Sequence, residues 1–385
     1  MSKKYNLLLP IAGKAQRFLD AGYMMPKPLI RAKNKHVIDW SLDSINYEDC
    51  NMIFIVRLDH VYNFSIDRIL KQKFGDDIKI VTVDHVTRGA LETCTLAEEY
   101  IDNDLPLFIY TPDVFFGPKF EPSSVKDADG FLLTFLANSP DHSYSDFDES
   151  GVVSRVVEKE VISQHANVGL YYFKTGSMFL KYAWRAIDDN LMVKGEFYIA
   201  PIYNYMIQDK LKVTAKDTAK MHILGTPDTF EFFCKRVLPR FGDKPIALAA
   251  DHSGFDLKEE CKDLIIDLGL DYIDVGTYVD KSCDYYDYVS QSAKLVEEGH
   301  CDHAISFCRS GQGVNIAANH CEPFISALTF DDFTARMAVE HNCANHFAVP
   351  SKYVDKVILE DMILTWMRTT FDGGRHFTRL NKVLK

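Results

Sequence analysis

The chain has 385 residues, too many for one ordinary domain and about right for two. With 47% apolar and 25% charged residues it is a packed globular chain, and no stretch reaches the roughly 18–20 apolar residues that span a bilayer. Forty-three basic against 55 acidic residues give a formal charge of −12, which argues against nucleic acid or an anionic membrane as partner and leaves room only for a local phosphate pocket. Lys3 and Lys4 before residues 5–11 faintly imitate a secretion signal. The apolar run is too short, however, and no small-residue cleavage site follows, so a buried first strand is expected. The nine cysteines include no C-x-x-C pair and no zinc spacing; their odd number fits reduced thiols and a cytoplasmic location.

In chain order, residues 5–11, 52–56, 78–83 and 106–110 are short apolar runs that read as strands buried on both faces. Helical stretches at 37–45, 65–74 and 90–101 lie between them. Residues 130–135, 151–157 and 167–173 have the pattern of antiparallel strands. Helices are expected near 176–187 and 198–209, and another begins at Pro227-Asp228, after the turn Gly225-Thr226. A stretch with Pro239, Gly242 and charge, 236–244, interrupts the periodicity. Strand patterns resume at 245–250, 271–275, 303–307, 324–328 and 345–349, with helices at 257–268, 288–298, 314–319, 333–341 and 354–368. Five strands with intervening helices make a complete doubly wound domain, so the boundary is expected near 241.

The first strand leads into Gly13-Lys14-Ala15-Gln16-Arg17, and Pro26-Lys27-Pro28-Leu29 follows. A glycine leaving a buried strand lets loop amides approach a phosphate, whose charge Lys14, Arg17 and Lys27 can meet. Farther on come Thr87-Arg88-Gly89, Tyr110-Thr111-Pro112-Asp113, Glu158-Lys159, Asn167-Val168-Gly169, Gly195-Glu196-Phe197-Tyr198 and Gly225-Thr226. These segments, in this order, resemble the sugar-phosphate nucleotidyltransferases. The resemblance implies Gly13, Lys14 and Gly89 on the nucleotide, Arg17 and Lys27 as catalytic cations, and Asp113 on Mg2+. It places Glu158, Lys159, Gly169 and Glu196 toward the sugar. The implied reaction is attack of a sugar-phosphate oxygen on the α-phosphorus of an NTP, which needs positioning and charge neutralisation more than covalent help. The chain departs from the family at Ala15, where a glycine is usual, at Gln16, and at Ile223, where many members carry a second metal aspartate.

In the second half, Asp251-His252-Ser253-Gly254 ends one expected strand, and Cys308-Arg309-Ser310-Gly311-Gln312-Gly313 ends another before a helix. A thiol facing a helix start gains thiolate character, and the amides of such a turn form a nest for an oxyanion. That pairing fits proton abstraction beside a carbonyl. His341-Asn342 closes a helix, and Arg375 and Arg379 share a face of the last one, a spacing suited to a phosphate. With Tyr285 after Asp284, these motifs resemble the type B ribose-5-phosphate isomerases and their galactose-6-phosphate isomerase relatives. The resemblance implies Cys308 as base, Ser310 with Gly311 and Gly313 at the oxyanion, and His341 with Asp251 in ring opening. It puts His252, Arg375 and Arg379 on the phosphate, and Tyr285 and Asn342 on the substrate. It also implies that two subunits complete each site, in a homodimer or homotetramer formed through this domain. Arg309 replaces the family's glycine.

The expected fold is α/β: two doubly wound, Rossmann-like domains at 1–240 and 241–385, with a mixed sheet in the first and a five-stranded parallel sheet in the second. The expected function is bifunctional, with an isomerase and a nucleotidyltransferase supplying an activated sugar for a surface polysaccharide. The alternative is a second domain that only binds ligand or builds oligomers.

Overall fold

The computed structural model describes residues 3–384. Strand β1 (Tyr5–Pro10) is buried on both faces: Leu7 and Leu9 point into one apolar cluster and Leu8 into the other. That alternation repeats in β2 (Cys50–Arg57), where Phe54 faces one side and Ile53 and Ile55 the other. β3 (Lys79–Val83) and β4 (Leu107–Tyr110) complete a parallel set in the order β4-β1-β2-β3. The next strands are β5 (Val114–Gly117), β6 (Gly130–Leu136), β7 (Ser143–Phe147), β8 (Val153–Glu158), β9 (His165–Phe173), β10 (Val213–Asp217) and β11 (Lys220–Ile223). β9 adds antiparallel to β4; β7, β8, β6 and β10 extend the sheet to nine strands, mixed as expected. β5 and β11 form a separate antiparallel pair.

Several elements differ from the sequence expectation for local reasons. Residues 90–101 break into Ala90–Thr95 and Glu98–Ile101, because Thr93 and Thr95 donate their hydroxyls back to Gly89 O (3.0 Å) and Glu92 O (2.8 Å). The helix expected from 198 starts as a tight turn, Ala200–Ile202, around Pro201 and becomes helical at Tyr203–Gln208. A helix at Leu58–Phe64 was not foreseen, nor were β5, β7, β10 and β11.

The second sheet is parallel throughout, in the order β13-β12-β14-β16-β15, with β12 (Ile246–Ala250), β13 (Tyr272–Asp274), β14 (Ala304–Cys308), β15 (Ser326–Leu328) and β16 (His346–Pro350). Every residue of β12, β14 and β16 is buried. Helices α1 (Phe255–Asp267), α2 (Tyr285–Glu297), α3 (Gln312–Asn319), α4 (Asp332–Asn342) and α5 (Lys356–Arg368) make the crossovers. No helix among the described residues is long and apolar enough to cross a membrane.

Contacts divide the chain into a first unit that runs to Glu231 and takes in Gly373–Val383, and a second, Phe232–Asp372. The break falls before the expected 240/241. Phe232 already packs on Phe371 (ring centroids 5.9 Å apart), and Arg236 Nη1 donates to Pro323 O at 3.0 Å. The terminal helix, Gly374–Val383, belongs to the first unit: Gly373 pairs with Met221, and His376 and Leu380 are buried.

Candidate active sites

The carboxyl ends of β1, β2 and β4 lie side by side, the edge at which open α/β sheets take ligands. β1 opens into the exposed Gly13 and Lys14. Ala15 then adopts the left-handed φ of 51° before the short helix carrying Arg17. From the end of β4, Asp113 Oδ2 accepts a hydrogen bond from Lys27 Nζ at 3.0 Å, and Asp113 O accepts from Leu224 N at 2.7 Å. A Cβ on Gly225 would stand 2.8 Å from Asp113 Oδ2, so the Gly225-Thr226 turn closes on the same carboxylate. Gly89 has a φ of 144°, and a Cβ there would lie 2.3 Å from Phe197 O. Only glycine lets segment 87–89 seat on 195–198. Gly169 O accepts from Thr111 N at 3.0 Å, bringing β9 to the Asp113 turn.

Across from Asp113, Glu158 is buried and Lys159 Nζ stands 3.5 Å from its Oε1; the same cation lies 5.6 Å from the Tyr198 ring centroid. Burial pushes the Glu158 carboxyl up, against the pull of Lys159. Burial also pushes the Tyr198 phenol up to about 12, with Glu196 and Glu158 adding and Arg17 opposing. The Tyr171 phenol is held high by burial, then by the charges of Glu158 and Asp113. His142 falls to about 4 through burial and Lys159, with Asp141 and Asp113 opposing. Arg17, Asp113, Glu158, Lys159 and Glu196 thus share one electrostatic neighbourhood. It offers cations to a phosphate and carboxylates to hydroxyls. Ile223, at the place of a second acid, pairs with Val114 between β11 and β5.

In the second unit, Asp251 Oδ1 accepts from Ser253 N (2.8 Å) and Gly254 N (3.0 Å), closing the turn into α1. His252 Nδ1 accepts from Cys283 N at 3.4 Å. Cys308 ends β14 and is 4% exposed. Ser351, just beyond β16, donates its amide to Cys308 O (3.0 Å) and its hydroxyl to Ser253 O (2.7 Å), so three strand ends interlock. Gly311 caps α3 at φ 72°, where a Cβ would meet Leu328 Cδ1 at 2.4 Å. Ser310 Oγ accepts from Gln312 N at 3.4 Å, and the Tyr285 ring lies against Gly313. Arg309 is exposed, its carbonyl accepting from Lys352 N at 3.2 Å.

His341 and Asn342 occupy the opposite edge of this sheet. α4 leaves the carboxyl end of β15 and returns to start β16, so its last residues lie about 16 Å, one five-residue strand, from the Cys308 edge. α5 makes the same return and brings Asp372 N to Glu340 O at 2.9 Å; side-chain atoms of Glu340, His341 and Asp372 gather within 4.8 Å. Arg375 and Arg379 come next in sequence, and their helix belongs to the first unit; Arg375 Nε stands 3.4 Å from His376 Nε2. Within the second unit one chain therefore brings together Asp251, Cys308, Ser310, Gly311, Gly313 and Tyr285, and leaves His341 and Asn342 at the other edge of the sheet; Arg375 and Arg379 belong to the first unit. Sequence reasoning missed His142 and Ser351. The only cue to Ser351 was its place after a buried strand at the ligand edge.

Residues 8–228 match the pattern of the nucleotidyl transferase family, and residues 246–383 that of the ribose/galactose isomerase family. The chain is 35% identical over 139 residues to the protein YwlF of Bacillus subtilis, covering 36% of this chain and 93% of that one. It is 32% identical over 140 residues to ribose-5-phosphate isomerase B of Escherichia coli, covering 36% and 94%. In structure it is similar to the nucleoside-diphosphate-sugar pyrophosphorylase of Vibrio cholerae, with a TM-score of 0.52 and 25% identity over 59% of this chain and 99% of that one.

Proposed function

Because the chain belongs to the nucleotidyl transferase family through residues 8–228 and to the ribose/galactose isomerase family through residues 246–383, we propose that it makes a nucleotide-activated sugar in two steps. An aldose–ketose isomerisation acts on a pentose or hexose phosphate, and a nucleotidyl group then passes from an NTP to a sugar phosphate. The observation that carries the transfer is the meeting of Lys27, Asp113 and the Gly225-Thr226 turn at the carboxyl edge, beside the Gly13 loop. In this step a sugar-phosphate oxygen bonds to the α-phosphorus, the bond to the bridging oxygen breaks, and pyrophosphate leaves with that electron pair. Lys14, Arg17 and Lys27 meet the phosphate charge, while Glu158, Lys159, Glu196 and the backbone at Gly169 orient the sugar. Asp113 is a half-buried carboxylate with Ile223 in place of a second acid, a donor set that fits Mg2+ held by one carboxylate and by substrate oxygens. Bound there, Mg2+ would neutralise charge on the phosphates.

In the isomerase step Cys308 takes the proton beside the carbonyl, Ser310 and the amides of the Gly311–Gly313 turn hold the enediolate, and His252 meets the phosphate. His341 assists ring opening from a second copy of the chain, as its separation from Cys308 requires, which makes the protein a homodimer or homotetramer through this unit. We place the enzyme in the cytoplasm, feeding a surface polysaccharide. The test is incubation of the purified protein with each NTP, Mg2+ and a panel of pentose and hexose phosphates, reading pyrophosphate release and product mass. No pyrophosphate with any combination defeats the transfer. A second reading, a non-catalytic second unit, draws on the exposed cation Arg309 next to Cys308. It is supported if no sugar phosphate takes up deuterium at C1 or C2 in deuterated water.

A further inference from the structure

Lys258 stands in the first turn of α1 and is 0% exposed. Lysine is almost never fully buried unless its charge is paired. Here Nζ donates to Asp274 Oδ2 at 2.7 Å and to Glu259 Oε1 at 2.8 Å. Lys262, one turn on, reaches the same two carboxylates, at 2.5 Å and 2.7 Å. Asp274 therefore keeps a cation even without Lys258, whose charge is not needed to neutralise it. Taking an ammonium out of water is costly, and an apolar side chain of similar length would fill the same volume without that cost. What the ammonium adds is direction, a charged hydrogen bond of set length to Asp274.

The network leads to the Cys308 edge. Asp274 ends β13; its Oδ1 accepts from Gly276 N at 2.9 Å, and its carbonyl accepts from the Tyr278 hydroxyl at 2.9 Å. Gly276 O in turn accepts from Ala250 N at 2.7 Å, and Thr277 N donates to Ala250 O at 2.9 Å. Ala250 ends β12, just before Asp251 and His252. The same segment runs on to Cys283, whose amide reaches His252 Nδ1 at 3.4 Å, and to Tyr285, which lies against Gly313. Lys258 follows the Asp251–Gly254 turn in the chain, so it clamps that turn to the segment beside it. We propose that Lys258 is a positioning residue of the isomerase site: through Asp274 and residues 276–283 it fixes where His252 stands to receive the substrate phosphate. The role rests on the isomerase reading. Cys308 is held separately, by β14 in the middle of the sheet and by the Ser351 amide. Loss of the clamp should thus loosen the grip on phosphate and spare proton transfer.

Steady-state deuterium exchange at C1 and C2 of a sugar phosphate, in the full-length protein, tests it. Lys258→Met should raise the KM for the sugar phosphate about tenfold, the loss of a charged hydrogen bond to phosphate. It should leave kcat within about twofold, as for binding made equally before and during the reaction. In a His252→Ala background the same substitution should change nothing further, because a residue that acts through His252 has no effect once that side chain is gone. Asp274→Asn keeps an oxygen for Gly276 N and leaves Lys258 its bond to Glu259. It supplies a second variant should Lys258→Met fail to fold, with the same split expected. Independent, multiplying effects of Lys258→Met and His252→Ala overturn the proposal, as does a fall in kcat at unchanged KM, since both describe a lysine that only supports the fold. If the wild type exchanges no deuterium with any sugar phosphate, the isomerase reading fails. Calorimetric titration with inorganic phosphate then decides the clamp: the wild type should bind about tenfold more tightly than Lys258→Met, and equal binding, or none, overturns it.

Discussion

Lys27 and Asp113 lie 86 residues apart in sequence and meet at 3.0 Å, each about a quarter to a third exposed. An ion pair so open to water contributes little to folding, so removing either partner should be felt in catalysis first. Asp113→Asn or Lys27→Ala is expected to slow pyrophosphate release by about 10²-fold or more, the loss of a main electrostatic contact. Deuterium exchange in the second unit should persist; transfer at wild-type rates in both variants would remove these residues from the site. Ala15 makes a different prediction. At φ 51° it holds a conformation that costs a residue with a Cβ about 1–2 kcal/mol. Ala15→Gly releases that strain at the expense of a floppier unfolded chain, so a net gain of up to about 1 kcal/mol, or a few degrees in Tm, is expected. Differential scanning calorimetry reads it, and a fall in Tm would mean that the Ala15 methyl packs better than its backbone suffers.

At the scale of elements, β14, β15 and β16 are joined by a buried polar chain that apolar patterning hides. His346 Nε2 lies 2.7 Å from Ser306 Oγ and its Nδ1 2.8 Å from Ser326 Oγ, which in turn donates to Asn315 Oδ1 at 2.8 Å. Ser326 must therefore accept from Nδ1–H and Ser306 donate to Nε2, a pattern only the neutral ring satisfies. Burial accordingly lowers the His346 pKa from 6.5 to about 3. Since the folded value is depressed, stability present above pH 6.5 is lost as pH falls toward 3, by at most about 1.4 kcal/mol per pH unit. Denaturant unfolding followed through Trp366, buried in this unit, should show that loss. His346→Asn should start less stable at pH 7.5 and show a shallower acid limb; equal slopes would detach the limb from His346. The same chemistry explains what was legible. Continuous apolar runs announced β12, β14 and β16, because strands buried on both faces leave no other pattern. β7 stayed hidden because Ser143 and Ser145 are buried and bonded to Asn167, at 2.9 Å and 2.8 Å, so its inward face reads as a polar loop. In the site, Asp113, Lys27 and Cys308 were legible from motifs at strand ends. Ser351 was not, since a serine after an apolar run carries no spacing rule and becomes visible as a site residue only through its bonds to Cys308 O and Ser253 O.

For the whole molecule, the decisive fact is that one chain puts Cys308 and His341 at opposite edges of a single parallel sheet. A reaction that needs both then needs two chains, each lending its Cys308 edge to the His341 edge of the other, the arrangement a twofold axis produces. Such sharing predicts complementation. Cys308→Ser removes the proposed base and His341→Asn the proposed ring-opening group, so on that reading either homodimer should lose deuterium exchange at C1 and C2 of its sugar phosphate by at least about 10²-fold. Co-expressed under two different affinity tags and mixed at random, the two variants form hybrids in half of the dimers. Each hybrid holds one site with both defects and one with neither, so the mixture should recover about a quarter of the wild-type exchange rate. Hybrids purified through both tags in succession should recover about half. Pyrophosphate release, assayed with the sugar phosphate of the transfer step supplied directly, stays at the wild-type rate in every sample, because both substitutions lie in the second unit, and that rate normalises the protein present. Purified hybrids with no more exchange than the parent homodimers would place Cys308 and His341 in one chain's site, and the sheet would then have to deliver His341 across its own length.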